Sequence, residues 1–271
     1  MNNQQIIDFY LSGKSLAATS RFSGLSTYKL HQLFEKNNIT IRTRHEQNIL
    51  ENMRRAKSIN HNFFSTLNNE NVYYLGFIAA DGTVRPNRNE IKISLSSIDR
   101  KFLEEFREKL QSERTIKDYI TSNGFNVSEL IFSSLKIKED LKKYSIVPNK
   151  TTVGISMANI PEEFKLAFIK GFFDGDGCFC YLKNTNQCKI TFTSYTYGIL
   201  NEINEFFNNK GYIYCKKNDG TCYELTFSTI TALKIMKEFY NLNTPCLLRK
   251  KEKYEEAMKD IIELKKRCSY K

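Results

Sequence analysis

Two apolar segments of the chain each end in an aspartate followed by a glycine. They read "YYLGFIAADGTV" at 73–84 and "FIKGFFDGDGCF" at 168–179, and their long apolar stretches predict two buried helices. Strand-like alternation follows: in "EIKISLS" the apolar residues Ile91, Ile93 and Leu95 alternate with polar ones. A buried helix followed by half-buried strands is therefore predicted in both places.

The two segments belong to an internal repeat. "NEIKISLSSIDRKFLEEF" aligns with "NQCKITFTSYTYGILNEI" at an offset of 97 residues, whereas Asp81 and Asp176 lie 95 residues apart, a difference that one hairpin loop can absorb. Each copy predicts a helix, two strands, a helix that Ser97-Ile98-Asp99 or Ser194-Tyr195-Thr196 can cap, two further strands and a closing helix. The last two strands of the second copy flank an Asn218-Asp219-Gly220 turn. We predict an α+β fold of two pseudo-twofold related αββαββα half-domains, preceded by a small helical domain.

Residues 1–44 follow a different pattern, with short helices separated by Gly13 and by a turn at 23–25. Ser26 is predicted to cap the third helix, whose inward-facing residues are Leu30, Leu33 and Phe34. This is a helix-turn-helix pattern, in which the start of the last helix enters the major groove. An ordinary three-helix cap is the alternative. If the unit binds DNA, the residues that would meet base edges are Thr27, Tyr28, Lys29, His31 and Gln32.

The domain boundaries follow from these patterns. Residues 1–44 form the helix-turn-helix-like domain, and the polar, mildly basic residues 45–66 are predicted to be a linker that can follow a DNA backbone. The first half-domain then spans 67–158. The second spans 159–271 and includes a C-terminal helix.

Charge points to a polyanionic partner, because the chain has a net charge of +11 and a pI near 9.2. Lys and Arg are spread over several elements rather than gathered on one amphipathic helix, which favours nucleic acid over a membrane surface. No membrane span is predicted, and the polar start "MNNQQIIDFY" lacks the pattern of a secretion signal. We expect a cytoplasmic or organelle-matrix protein. Its seven cysteines are expected to be reduced.

The polar faces of the predicted strands are candidates for double-stranded DNA binding. Because the pattern occurs in both copies of a basic protein, a DNA surface is favoured over a face that only meets water. The candidate residues are Lys92, Ser94, Ser96, Lys189, Thr191, Thr193, Lys216 and Thr226.

The aspartates raise an electrostatic question. A carboxylate in the last turn of a helix is disfavoured by the helix dipole, and burial adds a desolvation cost, so something positive must compensate. Gly82 and Gly177 are expected to end the helices in the left-handed conformation. Gly76 and Gly171 would let the two helices pack backbone to backbone.

Such packing would bring Asp81 and Asp176 together at one end. Two neighbouring carboxylates repel each other unless a divalent cation lies between them, and Mg²⁺ suits these hard oxygen ligands. Such an ion can activate water against a phosphodiester. A single Asp-Gly pair would be explained more simply as a turn. Its occurrence at the end of both apolar helices favours a shared metal site.

The segments "LGFIAADG" at 75–82 and "IKGFFDGDG" at 169–177 resemble the paired motifs of single-chain LAGLIDADG homing endonucleases. The resemblance covers roughly 70–255. It implies a saddle of two half-domains over DNA, with the last acidic residue of each motif, Asp81 and Asp176, as a metal ligand for Mg²⁺, for which Mn²⁺ can substitute. It also implies a monomer that cuts both strands across the minor groove and leaves short 3′ overhangs. Asp174, which matches Ala79 of the first motif, is expected to form helix-end hydrogen bonds instead.

The resemblance also implies that basic residues surround the metal site. Lys150 and Lys250 lie at comparable offsets after their aspartates and are the candidate catalytic lysines, although Arg249 and Lys251 adjoin the second. Two ordinary surface lysines are the alternative.

The function that these patterns favour is a site-specific DNA endonuclease of a mobile intron, or a free-standing one. The alternative on the same fold is a non-cutting DNA-binding regulator, or a maturase whose partner is intron RNA. Metal-dependent double-strand cleavage would distinguish the endonuclease from the regulator and the maturase.

Overall fold

The computed structural model describes residues 2–56, 59–216 and 222–269, so the predicted Asn218-Asp219-Gly220 turn lies outside the described residues. The chain divides into two compact units, residues 1–58 and residues 59–271. No helix within the described ranges is long and apolar enough to cross a membrane.

The first unit is helical. Its helices are α1 (Asn3–Leu11), α2 (Leu16–Ser23), α3 (Thr27–Lys36) and α4 (Arg44–Ala56). The Ser26 side chain caps α3 by accepting from the backbone N–H of Lys29. A small core holds the helices together and consists of Ile6, Ile7, Tyr10, Leu30 and Phe34.

The described residues of the segment predicted as a linker at 45–66 are structured. Helix α4 covers its first part and joins the first unit, where Gln47 donates to the carbonyl of Gly13 at 3.0 Å. Its last residues belong to the second unit, in whose core Ile59 and Phe64 are buried. The linker prediction missed these apolar residues because they are isolated in a polar stretch.

The second unit contains the two predicted half-domains. The first runs through α5 (Asn69–Asp81), β1 (Gly82–Val84), β2 (Glu90–Ser96), α6 (Arg100–Lys109), β3 (Lys117–Ile120), β4 (Asn126–Ser133), α7 (Leu135–Lys143) and the short α8 (Lys150–Val153). The second runs through α9 (Glu162–Asp176), β5 (Gly177–Leu182), β6 (Gln187–Ser194), α10 (Tyr197–Phe206), β7 (Tyr212–Lys216), β8 (Cys222–Ser228), α11 (Thr229–Asn241) and α12 (Leu248–Ser269). The predicted order αββαββα is confirmed in both.

Among the described residues, the strands form two four-stranded antiparallel sheets. Their orders are β1-β2-β4-β3 and β5-β6-β8-β7, so the two halves share one topology. One face of each sheet packs on helices such as α6, α10 and α11, because alternate residues such as Ile91, Ile93, Ile190 and Phe192 are buried there. The opposite, polar face of each sheet is free of these helices.

Candidate active site

Helices α5 and α9 touch each other along their backbones. A Cβ atom on Gly76 would come closer than 3 Å to the carbonyl oxygen of Phe168, and one on Gly171 would do the same at Tyr73. Cβ atoms do not adopt such separations, so this approach requires glycine in both helices. The contact brings the carboxyl ends of α5 and α9 together.

Asp81 and Asp176 are the last residues of these helices. A Cβ on Gly175 would lie only 3.4 Å from Oδ2 of Asp81. Since Gly175 directly precedes Asp176, the carboxylate of Asp81 reaches the end of the other helix. Asp81 is half-buried, and Asp176 is exposed at the surface of the protein.

The surroundings of both acids disfavour their charged forms. Although Asp176 keeps an exposed side, partial loss of hydration and then the charge of Asp81 raise its pKa to about 6. Burial also raises the pKa of Asp81, although Lys250 and Lys150 oppose that effect. A cation shared by the two acids would relieve their repulsion.

Lys250 supplies the positive charge that the end of α9 requires. Its Nζ donates to the carbonyl oxygens of Phe173 at 2.6 Å, Asp174 at 2.8 Å and Gly177 at 2.6 Å. An ammonium group has three N–H donors, so all of them serve the helix end. The side chain is 4% exposed, and burial lowers its pKa to about 8.

Lys150, the first residue of α8, occupies the corresponding place at the end of α5. The Nζ of Lys150 donates to the carbonyl of Ala80 at 2.5 Å, which uses one of its three N–H donors. The described part of the chain gives this group no second acceptor. Burial lowers the pKa of Lys150, whereas Asp176 and Asp81 oppose the shift. The two lysines thus occupy similar positions, but Lys250 donates to three carbonyls and Lys150 to one.

Asp174 makes the helix-end hydrogen bonds expected of it. Its Oδ2 accepts from the hydroxyl of Tyr73 at 2.6 Å and from the backbone N–H of Leu247 at 3.2 Å. The residue is buried, and it ties α9 to α5 and to the segment before α12.

The structure corrects the roles of three neighbouring residues. Asp99 forms no side-chain cap on α6. Its Oδ2 lies 2.9 Å from Nε of Arg249, and this ion pair joins the two half-domains. Gly82 and Gly177 have extended backbones, with φ of −76° and −100°, rather than left-handed ones. A Cβ on either glycine would instead overlap the preceding helical turn.

The strand residues predicted to bind DNA lie on the two polar faces. In the second sheet Thr191 pairs with Thr226, and Thr193 pairs with Glu224 on the same face. In the first sheet Ser94 pairs with Glu129. The predicted lysines share these faces, since Lys92 and Lys189 are each two residues from a threonine or serine along their strand.

One glutamate at the centre of each polar face was not predicted from the sequence. In the second sheet, Glu224 forms ion pairs with Lys216 and Lys189 and accepts from the hydroxyl of Tyr214. Burial alone would raise its pKa, but the hydrogen bonds from Lys216 and Tyr214 lower it. Glu224 is therefore an ionised, buried anchor for two basic side chains.

Glu129 has the same role in the first sheet. It lies 2.8 Å from Nζ of Lys92 and accepts from the hydroxyl of Ser94 at 3.1 Å. Glu129 and Glu224 are 95 residues apart, as are Asp81 and Asp176. That shared offset is the signal that could have revealed them.

Comparison with known proteins agrees with this architecture. Residues 169–262 match the model of the LAGLIDADG endonuclease family, and residues 70–144 match that of the LAGLIDADG-like domain. The uncharacterised protein MJ0314 of Methanocaldococcus jannaschii is 23% identical over 197 residues, which are 70% of this chain and 71% of that protein.

Solved structures of meganucleases share the fold. The LAGLIDADG meganuclease I-AabMI bound to uncleaved DNA aligns with a TM-score of 0.51 and 16% identity, over 73% of this chain and 92% of its own. Meganuclease I-SmaMI bound to uncleavable DNA gives a TM-score of 0.51 and 16% identity, over 74% and 91%. Two family models cover most of the second unit, each at one of the repeated halves. The chain therefore belongs to the LAGLIDADG endonuclease family, with both motifs in one polypeptide.

Proposed function

We propose that this protein is a site-specific homing endonuclease that cuts both strands of a long DNA target and leaves short 3′ overhangs. It would act as a monomer, because one chain supplies both Asp81 and Asp176. The observation that carries the proposal is the meeting of these two acids at the joined ends of α5 and α9, beside two polar sheet faces. Family membership and the DNA-bound relatives of the same fold support it.

The acids fit a divalent cation, with Mg²⁺ the expected ion and Mn²⁺ a substitute. Within the described ranges, no group of three or more His, Cys, Asp or Glu side chains is placed to hold an ion. Mg²⁺ does not need such a group, because it is often bound by one or two carboxylates together with substrate phosphates and water. Asp81 raises the pKa of Asp176, and a bound cation would relieve this repulsion.

A bound divalent cation would supply charge neutralisation at the phosphate and a more acidic water. The chain's own residues would orient the reaction. Asp81 and Asp176 would hold that cation, because the backbone contact of α5 and α9 brings both helix ends together. Lys150 can donate its remaining N–H groups to a phosphate oxygen, where negative charge increases during the attack.

The two lysines should respond differently to substitution. Lys250→Met would leave three carbonyl oxygens without their donor, so it should reduce the stability of the protein by about 1–3 kcal/mol and lower its melting temperature. Lys150→Met should leave the melting temperature nearly unchanged and slow DNA cleavage about tenfold or more. Thermal melts and single-turnover cleavage of the same two variants measure both effects. Equal loss of stability in both variants would contradict the assignment.

Glu224 is expected to restrain the lysines of the second sheet. Glu224→Gln should release Lys189 and Lys216 toward phosphates, so the salt dependence of DNA binding should steepen by about one to two ions. Discrimination between target and unrelated DNA should fall. Glu162→Gln is the matched control, since it removes a negative charge at the start of α9, far from Asp176 along that helix. An identical salt slope in Glu224→Gln and the control would show that Glu224 does not restrain DNA contacts.

The first unit would extend the DNA contact. At the start of α3, the side chains of Thr27, Tyr28, Lys29, His31 and Gln32 are all exposed. Gln32→Ala should weaken binding about tenfold and remove protection at one flank of the footprint, whereas Glu35→Ala, at the end of the same helix, should not. Full protection of both flanks by Gln32→Ala would leave the first unit without a base-reading role.

Selection from a library of DNA targets tests the whole proposal. The purified chain is incubated with the library and Mg²⁺, and cleaved sequences are recovered. Double-strand breaks at one sequence support the proposal. Binding without scission under every divalent metal tried would indicate a regulator instead, and rescue of intron splicing would indicate a maturase.

A further inference from the structure

Two cysteines lie side by side on the polar face of the second sheet. The Sγ atoms of Cys178 and Cys180 are 3.5 Å apart, and both side chains are exposed. Phe179 between them is buried, because successive strand residues point to opposite faces. Both thiols therefore face outward from β5.

Their spacing suits two sulfurs that share one ligand atom. A disulfide bond is about 2.05 Å long, so the two groups are separate thiols. Two metal–sulfur bonds of about 2.3 Å at a tetrahedral angle place the sulfurs about 3.8 Å apart, within a small side-chain adjustment of the observed separation. The pair is thus arranged as a chelating dithiol.

The two sulfurs are the candidate ligand atoms of this site. No third His, Cys, Asp or Glu completes a metal site with them among the residues that the structure describes. A ligand that needs only two sulfurs, or that brings its own remaining ligands, fits this arrangement.

We propose that Cys178 and Cys180 form a binding site for thiophilic metal or metalloid ions, and that occupancy of this site and DNA binding exclude each other. With a trivalent arsenical oxide, two As–S bonds form while the arsenic–oxygen bond and two S–H bonds break. The oxygen and the two protons leave as one water molecule. No electrons are transferred, and no further reactant is required.

The location of the site explains the exclusion. Cys180 pairs across the strands with Lys189, and Cys178 pairs with Thr191, which are two of the residues proposed to contact DNA. Asp176 lies only two residues before Cys178. A bulky group held by both sulfurs would therefore stand on the surface that DNA must approach. This second part of the proposal rests on the proposed DNA binding, whereas the dithiol site itself does not.

Intact-mass spectrometry of the full chain treated with phenylarsine oxide tests the site. After a wash with a monothiol, one adduct per chain should remain, and a dithiol should remove it. Cys178→Ser and Cys180→Ser should each lose this adduct, whereas Cys215→Ser, which changes an exposed cysteine elsewhere in the sheet, should keep it. A monothiol-resistant adduct that persists in Cys178→Ser would overturn the site.

Competition with DNA tests the exclusion. Binding of the untreated chain to double-stranded DNA is measured first, so that a failure of the proposed function is recognised separately. The arsenical should then weaken binding at least about tenfold in the wild type and have no effect on Cys178→Ser, and bound DNA should slow adduct formation. An arsenical-loaded chain that binds DNA as tightly as the untreated one would refute the exclusion.

Discussion

Asp176→Asn and Asp81→Asn are each expected to slow cleavage of both DNA strands at least about 100-fold, since even partners of metal ligands cost 10–100-fold when lost. The reason is that the proposed cation would depend on both carboxylates. DNA binding without divalent metal should change only a few-fold, because neither acid lies on a strand. Single-turnover assays on a supercoiled plasmid resolve nicked from linear product. A variant that still nicks one strand at the wild-type rate would show that the acids serve separate ions.

The stability of Asp176→Asn separates lost chemistry from lost folding. The pKa of Asp176 is raised from 3.8 to about 6 in the folded protein, so the folded state binds this proton more tightly than the unfolded chain does. Ionisation therefore opposes folding, and the penalty is absent below about pH 4 and complete above about pH 6. In chelator at pH 8, Asp176→Asn should be more stable than the wild type, and the difference should vanish toward pH 4. Lower stability of the variant at pH 8 would show that ionised Asp176 does not oppose folding.

Gly171→Ala is expected to have the largest effect on folding. The added methyl group would overlap the carbonyl of Tyr73, and a backbone cannot move aside as a flexible side chain can. Overpacking of this kind costs about 1–3 kcal/mol or more, which corresponds to a melting temperature lower by about 6–12 °C at the upper end. Cleavage should also fall at temperatures where the variant is folded, because the helix ends that carry the acids would separate.

Gly198→Ala is the matched control for that substitution. Gly198 lies in α10, and a Cβ there would meet nothing within 4 Å. The change should leave the melting temperature unchanged or slightly higher, since alanine favours helix over glycine. Equal behaviour of Gly171→Ala and Gly198→Ala would show that α5 and α9 do not touch through their backbones.

Much of the fold follows from the sequence because the chain repeats itself. A repeat converts weak local patterns into strong ones: the alternation around Ile91 is one short strand, but its recurrence around Ile190 predicts a shared topology. The core of the first unit was predictable for a different reason, since Ser26 marks a helix start and Leu30 and Phe34 follow at helical spacing.

The sequence could not supply the uses of side chains that depend on distant parts of the chain. The different use of Lys250 comes from the three carbonyls that it meets at the end of α9. Asp99 has the pattern of a helix cap, yet it pairs with Arg249, 150 residues away. The left-handed ends expected at Gly82 and Gly177 were wrong because the strands start directly at these residues, which keeps their backbones extended.

Asp81 and Asp176 are proposed to hold one divalent cation between them, and the cleavage mechanism depends on that shared ion. Anomalous diffraction from crystals of the protein with its DNA target, soaked in Mn²⁺, tests it most directly. A manganese peak is expected about 2.1 Å from one carboxylate oxygen of each residue. Carboxylates that stand apart, with manganese bound to one of them alone or to neither, would contradict it.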